Sequence, residues 1–571
     1  VNNFQDNANF IWQVADDILR GSFKQHEYGD VILPFVVLRR LDCVFSLVRN
    51  KVIETHNRFK DQVTDTKPIL LKAASPLNFY NVNQYDLERL SQDSSNIQLN
   101  FNAYINGFSE NVREIIENFQ IDKIIQKLVK NDLLFMLVDK FTEVDLHPDK
   151  VDNHEMGYIF EELLRRFSEM SNETAGEHYT PREVIRLMVN LLFSEHEDRL
   201  KEKGLIRKVY DPACGTGGML TIAKEHIKSN INSEIEVLLF GQELNPQTYA
   251  ISKSDMLISG ENPDNIKDES SLTKDKFVGN KFDFMLSNPP FGVSWKKEQA
   301  QIKEEAGEPY SRFHAGLPRV SDGALLFLQH MISKMNTQGS RIAIIHNGSP
   351  LFTGDAGSGE SNIRKWIIEN DWLEAIVALP TELFYNTGIA TYIWVVTNNK
   401  PAKRRGKIQL IDGTSFFVKM RKSLGSKRNF IPEDGINKIT EIYTSFNSGN
   451  DCRIFNNNEL GYTKVTVERP LLDKNGKIVT DKQGNKKIDS SLRDYEKIPL
   501  TDDIDDYFKK EVLPHVPDAW MDRDKDKVGY EINFTKYFYE YKPLRPLEEI
   551  KKDILDLEDE TEGILSEVLG L

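Results

Sequence analysis

The central part of this sequence predicts an α/β fold: one mostly parallel, seven-stranded sheet with helices on both faces. Three observations carry the prediction. From residue 180 onwards, short apolar runs alternate with stretches of helical periodicity, the pattern of strand–helix–strand crossovers. Ahead of that point the periodicity is helical throughout. Beyond Lys400 the composition changes again, to a basic stretch, polar turns and an acidic tail.

The elements follow in order. Phe10, Ile11, Val14, Ile18 and Leu19 recur at helical spacing, and Pro34 begins a second run through Val37, Leu38, Leu41 and Val48. Further helices are expected over Val112–Leu128 and Met156–Met170. Thr180-Pro181-Arg182-Glu183 fits a capping box with proline at the first helical position, opening a helix through Ile185, Met188, Val189 and Leu192. The strands expected are Lys208–Asp211, Val237–Gly241, Phe282–Ser287, Arg341–His346, Leu373–Leu379, Thr391–Thr397 and Ile408–Ile411. Helices are expected to begin near Gly218, Pro246, Asp322, Ser361 and Pro380. Asp473-Lys474-Asn475-Gly476 and Gln483-Gly484-Asn485 carry turn chemistry and predict a polar hairpin. Near the end, Leu547, Ile550, Ile554, Leu557, Ile564 and Val568 form a heptad-like stripe interrupted at Thr561. The organisation expected is a helical domain over 1–150, the α/β domain over 151–425, an α+β extension over 426–540 and an amphipathic helix over 541–571.

Composition narrows the function classes. At about 150 residues per domain, 571 residues make three or four structural units. A hydrophobic content of 39% with 28% charged residues excludes disorder and collagen, and no apolar run reaches the ~20 residues a bilayer requires. The first residues carry acids where a signal peptide has bases, and Cys43, Cys214 and Cys452 support neither a disulfide framework nor a zinc site. A cytoplasmic protein without a metal is expected. The net charge of −15 argues against a chain that grips nucleic acid unaided over its whole surface. That charge is uneven. Lys400–Arg428 holds ten bases against Asp412, whereas Glu548–Glu567 holds nine acids against Lys551 and Lys552. The basic stretch is the best internal candidate for contact with phosphates.

Three motifs carry chemistry. In the first, an apolar strand ends at Asp211, and Pro212-Ala213-Cys214-Gly215-Thr216-Gly217-Gly218 leads into a helix. Glycines let the backbone approach a ligand, and the helix start offers free N–H groups. A dinucleotide site or a purely structural turn has a similar look, but the GxGxxG spacing is absent. Asp211 precedes the glycines, where a carboxylate is placed to hold an ammonium. In the second motif, Glu243 ends the next strand, where a carboxylate accepts both hydroxyls of a ribose. In the third, Asn288-Pro289-Pro290-Phe291-Gly292 follows the strand ending at Ser287. Two prolines lock the backbone so that the Asn288 side chain and the Pro289 carbonyl converge as acceptors on one point. The exocyclic amine of a purine is a poor nucleophile because its lone pair is delocalised into the ring. Two acceptors draw it towards tetrahedral geometry and take up developing positive charge, while Phe291 offers a stacking surface.

Asp211–Gly218 resembles the first motif of S-adenosylmethionine-dependent methyltransferases, and Asn288–Phe291 resembles the catalytic motif of adenine N6 amino-methyltransferases. The motif order is similar to the gamma group, with Glu177-His178-Tyr179-Thr180-Pro181-Arg182 ahead of the glycine loop. Over most of its length the chain resembles the modification (M) subunit of type I restriction–modification systems. The likeness extends through Asp322–Phe327, Ala378–Phe384, Gly388–Thr391 and Glu511–Trp520. It implies a Rossmann-like methyltransferase fold with S-adenosyl-L-methionine as cofactor. Glu177, His178, Tyr179, Thr180, Pro181 and Arg182 with Asp211, Gly215, Thr216 and Gly217 would line the cofactor's methionine end. Glu243 would hold its ribose and Asp268 would stand near its adenine, in a segment that departs from the family's usual Gly-Asp-Thr-Leu. Asn288, Pro289, Pro290 and Phe291 would carry catalysis on an adenine flipped out of double-stranded DNA. The implied partners are a specificity (S) subunit that reads the target, with two M per S, and a restriction (R) subunit, with no membrane. The loop Val293–Ser321 is placed to close over the base, and the stripe from Leu547 to Val568 to meet the specificity subunit. Two other readings stay open on residues alone: a protein glutamine methyltransferase and a non-catalytic DNA-bound scaffold.

Overall fold

The computed structural model describes residues 3–171, 180–194, 200, 205–290, 292–385, 387–539 and 546–557. The chain forms two compact units, Val1–Ile532 and Asn533–Leu571.

The first third is helical, but its boundaries differ from the sequence expectation in two places. The helix Tyr28–Phe45 contains Pro34 rather than starting there, because every residue from Val31 to Phe45 is buried. Burial of so many apolar side chains outweighs the ~3 kcal/mol an internal proline costs a helix. The run Val112–Leu128 is two helices, Glu110–Asn118 and Ile121–Lys130, separated where Gln120 takes a left-handed φ of 55°. The long helix Asn153–Ser171 follows. The core of this region takes in Ala250, Ile251 and Leu257 from the helix Pro246–Ile258, so helical and α/β parts share apolar packing. Lys253, on that same helix, reaches Glu114 at 2.7 Å.

The strands are β1 Ile206–Asp211, β2 Glu236–Glu243, β3 Ile266–Asp268, β4 Phe284–Ser287, β5 Arg341–Asn347, β6 Leu373–Ala378, β7 Thr391–Thr397, β8 Lys407–Asp412, β9 Val418–Leu424, β10 Lys427–Phe430, β11 Cys452–Asn456, β12 Gly461–Glu468, β13 Asp494–Pro499 and β14 Trp520–Tyr530. Nine of them form one sheet in the order β11-β8-β6-β7-β5-β4-β1-β2-β3. The seven expected strands are its interior. The two additions, β3 and β11, are the edges. An edge strand is short and wetted, so it lacks the continuous apolar run by which a doubly covered strand is recognised. The sheet is mostly parallel, with β7 antiparallel to both β5 and β6 and β11 antiparallel to β8.

Two further expectations are corrected. No helix begins at Pro380. Residues after β6 make a turn, with Glu382 at φ 54° and Leu383 and Phe384 buried. Antiparallel pairing of β6 with β7 needs only a hairpin-like return and not a crossover helix. Nor does Thr180 cap its helix. The helix runs Arg182–Phe193 with Pro181 at the cap position, and no side chain caps it. Thr180 and Glu183 are engaged elsewhere, as described below.

A three-stranded antiparallel sheet, β13-β12-β14, carries the extension, and β9 and β10 make a separate hairpin. The polar segment beyond β12 contains two tight turns, one in which Asp473 Oδ1 accepts from the Asn475 and Lys477 amides, the other with Asp481 accepting from Gln483 and Asn485. The second compact unit contains the short helix Phe534–Phe538 and a helix over 547–557, on which Leu547, Ile550, Ile554 and Leu557 are exposed. Ile564 and Val568 lie outside the described residues. Among the described residues no helix is long and apolar enough to cross a membrane, and no cluster of metal-ligating side chains is present.

Candidate active site

Parallel alignment of β1, β2 and β4 brings their carboxyl ends together, so Asp211, Glu243 and Ser287 end on one rim. The turn after β1 bends sharply there. Gly215 and Gly217 take φ of 53° and 87°, and a Cβ on Gly217 would lie 2.8 Å from Ser252 Oγ. Only glycine fits both the left-handed backbone and that approach.

Glu243 closes the turn from the other side. Its Oε2 accepts from the Gly215 amide and its Oε1 from the Asn245 amide, both at 2.8 Å. Each oxygen keeps a second lone pair for a ligand hydroxyl. Asp211 Oδ1 accepts from Ser287 Oγ at 2.8 Å and from the Ala213 amide at 2.9 Å. Burial nevertheless pushes the Asp211 carboxyl up to about 7, with the charge of Glu243 adding to it. A cationic ligand beside Asp211 would restore the carboxylate. The Cys214 thiol is buried against Gly241, and burial pushes its pKa well up, so it stays protonated and inert.

A cavity of about 590 Å3 opens on this rim, lined among others by Glu243, Asn245, Ser270, Pro290, Trp295 and Phe327. A small cleft lies beside it and contains Thr180, Asp211, Gly215, Thr216 and Asn288, the two sharing Ala213. Asn288 Nδ2 donates to Thr180 Oγ1 at 2.9 Å, while Asn288 Oδ1 is buried with no partner among the described residues. Pro289 is buried and Pro290 half-buried against the large cavity.

Other expected residues fall differently. Arg182 is buried and faces Glu161 of the helix Asn153–Ser171, with Nε 3.1 Å from Oε2. Its guanidinium also lies over the Tyr158 ring at 3.8 Å. These contacts tie the segment to that helix, and Arg182 lines a narrow cleft with Thr216 and Gly218. Pro181 is buried beside it. Asp268 is exposed at the end of β3, and the cavity is lined instead by its successors Glu269, Ser270, Ser271 and Leu272. Glu177, His178, Tyr179 and Phe291 lie outside the described residues.

The segment Val293–Ser321 is built as a wall. Trp295, Ile302 and Phe313 pack with Leu272 and Leu326 in a small core of their own. Arg312 donates to the carbonyls of Ser271 and Leu272 at 2.7 Å and pairs with Glu305. Its Nη1 also meets His330 Nδ1 at 2.7 Å, and burial together with Arg312 holds that imidazole neutral. This wall delivers Glu298 to the cavity, where its carboxylate accepts from Ser270 Oγ. Sequence reasoning missed Trp295, Glu298 and Phe327. The signal available was an aromatic and an acid closely following the Asn288 motif.

Sheet and rim together have the form of a nucleotide-binding α/β domain, with acids at the carboxyl ends of adjacent parallel strands. Residues 151–469 match the N-6 DNA methylase family model, and residues 7–141 match the HsdM N-terminal domain. The chain belongs to the N-6 DNA methylase family. With the HsdM domain ahead of the methylase domain, it is a modification subunit of the type I restriction–modification kind. It is 28% identical over 487 residues to the MjaIX methylase subunit of Methanocaldococcus jannaschii, covering 83% of this chain and 82% of that one. The HindI methylase subunit of Haemophilus influenzae is 32% identical over 259 residues, 45% of this chain and 54% of the relative. Among solved structures, a type I methyltransferase subunit from Streptococcus thermophilus superposes with a TM-score of 0.62 at 21% identity, over 80% of this chain and 97% of the other.

Proposed function

We propose that this chain transfers a methyl group from S-adenosyl-L-methionine to N6 of a flipped adenine in double-stranded DNA, with site specificity supplied by a partner. The observation that carries the reading is Asn288 Oδ1, a buried acceptor without a partner, next to a nucleoside-sized cavity. The donor set fits the cofactor: Asp211 for its ammonium, Glu243 for its ribose hydroxyls, and the Gly215–Gly217 turn for close backbone approach. Bound there, the cofactor supplies an electrophilic methyl group on a sulfonium.

The chain's own residues do the rest. Asn288 Oδ1 accepts a hydrogen from the adenine amine, with the Pro289 carbonyl as second acceptor, so nitrogen lone-pair density is released as positive charge develops. Thr180 holds the amide in that orientation. Pro290 borders the place of the base, Phe291 is assigned the stacking role on its sequence motif alone, and the Trp295–Phe313 wall limits water. The match to a DNA methylase family over 151–469 leaves a protein amide acceptor or a vestigial scaffold without support.

The same reading places the chain in the cytoplasm, in an assembly of two modification subunits with one specificity subunit and a restriction subunit. The exposed stripe Leu547, Ile550, Ile554 and Leu557 supports a helix–helix contact with the specificity subunit. Mapping of N6-methyladenine in a host carrying this gene with its neighbours tests the function. A defined modified sequence is expected, lost with Asn288→Ala. Persistence of the modification in that variant overturns the mechanism.

A further inference from the structure

The bases of Lys400–Arg428 sort into two kinds. Lys400 is buried 2.6 Å from Asp371, and Arg404 is buried 3.6 Å from Glu374. Lys427 is buried too, bonded to Glu183 and to the Leu383 carbonyl. These hold the fold together. The hairpin β9–β10 is different. Its residues Val418–Phe430 contain five bases and no acid in a chain of net charge −15. Arg428 lies 3.6 Å from Glu382, whereas Lys419, Arg421 and Lys422 are exposed and, among the described residues, unpaired.

The hairpin's root fixes where those charges stand. The Ser426 amide donates to the Tyr385 carbonyl at 2.7 Å and the Asn429 amide to the Glu382 carbonyl at 3.1 Å, beyond the end of β6. Lys427 reaches Glu183 on the first turn of the helix Arg182–Phe193, three residues after Thr180, which holds Asn288. A chain of direct contacts thus runs from the hairpin root to the candidate catalytic amide.

We propose that the hairpin β9–β10 grips the phosphate backbone of duplex DNA beside the flipped base, through Lys419, Arg421 and Lys422. The inference rests on the DNA methyltransferase reading above. Strand alternation puts Lys419 and Arg421 on one face and Lys422 on the other, so the three cations do not converge on one small anion. Lys419 and Arg421 stand about 6.6 Å apart along the strand, about two steps of the ~3.4 Å axial rise between phosphates of one DNA strand. In a chain of net charge −15, an acid-free arm beside the site localises the attraction.

The test uses the full chain co-purified with its specificity subunit and a fluorescent duplex bearing the mapped target. Anisotropy titrations are run across a series of KCl concentrations. In Lys419→Gln/Arg421→Gln/Lys422→Gln, the slope of log Kd against log salt is expected to fall by between two and three, at about 0.9 per phosphate contact. Calorimetric binding of S-adenosylmethionine is expected to stay at the wild-type value. Lys474→Gln/Lys477→Gln/Lys482→Gln removes the same charge from the other polar hairpin and is expected to leave the slope unchanged. An unchanged slope in the β9 variant, or an equal fall in the control, overturns the proposal while wild-type methylation stands. A wild-type assembly that binds the duplex but transfers no methyl group overturns the functional reading, and the hairpin's role with it.

Discussion

Asn288 Nδ2 donates to Thr180 Oγ1 at 2.9 Å, and with that bond made Asn288 Oδ1 is the end of the amide left without a partner among the described residues. Reversing the amide would present two hydrogens to an incoming amine, donor against donor. Thr180 belongs to the segment ahead of the glycine turn, so one residue borders the proposed cofactor site and orients the proposed catalytic group. Thr180→Val is therefore expected to lower kcat roughly five- to tenfold, the worth of a hydrogen bond of about 1–1.5 kcal/mol. The Kd for S-adenosylmethionine should change far less, and Thr180→Ser should restore the rate. Single-turnover methylation beside calorimetric binding separates the two. Loss of cofactor affinity with an unchanged single-turnover rate assigns Thr180 to the cofactor alone.

Asp211 gives the site a pH dependence of defined sign. In the folded protein its carboxyl is raised from 3.8 to about 7, so the neutral acid is the favoured form. The stability tied to that preference is complete below the unfolded value near 3.8 and is lost as pH rises through 7. An ammonium ligand needs the carboxylate, so binding expels a proton between those limits. Affinity for S-adenosylmethionine is expected to rise by up to tenfold per pH unit from about pH 5 to 7 and then level off. Calorimetry in two buffers of different ionisation enthalpy reads the released proton directly. Asp211→Asn should bind weakly with a flat profile, and a wild-type profile that is flat over this range refutes the assignment.

What was legible follows from which signals are local. Interior strands such as β5 and β6, covered on both faces, announce themselves as unbroken apolar runs, and acids at strand ends mark the rim in the same reading. The edges β3 and β11 carry no such run. Long-range pairings were invisible as well. The pairing of Arg182 with Glu161 from a preceding helix has no local signal, and Glu183 looks like half of a capping box until Lys427 arrives from 244 residues away. Ser270 with Glu298, rather than Asp268, lines the cavity because the Val293–Ser321 wall folds back onto it.

The far end of the sheet holds a buried ion cluster whose disruption has a predictable cost. Arg341 on β5 makes two 3.1 Å bonds to Glu374 on β6, Tyr443 donates to the same carboxylate, and Arg404 lies 3.6 Å away. All four side chains are fully buried. Removing the one anion leaves two guanidiniums in a dry interior, so Glu374→Gln is expected to lower the unfolding free energy by about 3–5 kcal/mol. Denaturant unfolding measures it, with cofactor binding per folded molecule unchanged.

Gly217 separates two causes that usually come together. Its φ of 87° disfavours any L side chain, and a Cβ there would also stand 2.8 Å from Ser252 Oγ and 3.5 Å from Met256 Cε. The left-handed backbone alone costs alanine about 1–2 kcal/mol, while the contact adds a push that moves the turn away from Glu243. Gly217→Ala should therefore lose both stability and cofactor affinity. Adding Ser252→Ala removes the clashing oxygen but leaves the backbone strained. The double variant is expected to regain cofactor affinity to within a few-fold of Ser252→Ala alone while keeping a melting temperature below it. If Ser252→Ala restores neither quantity, the damage is carried by the backbone, and the close packing beneath the turn plays no part in shaping the site.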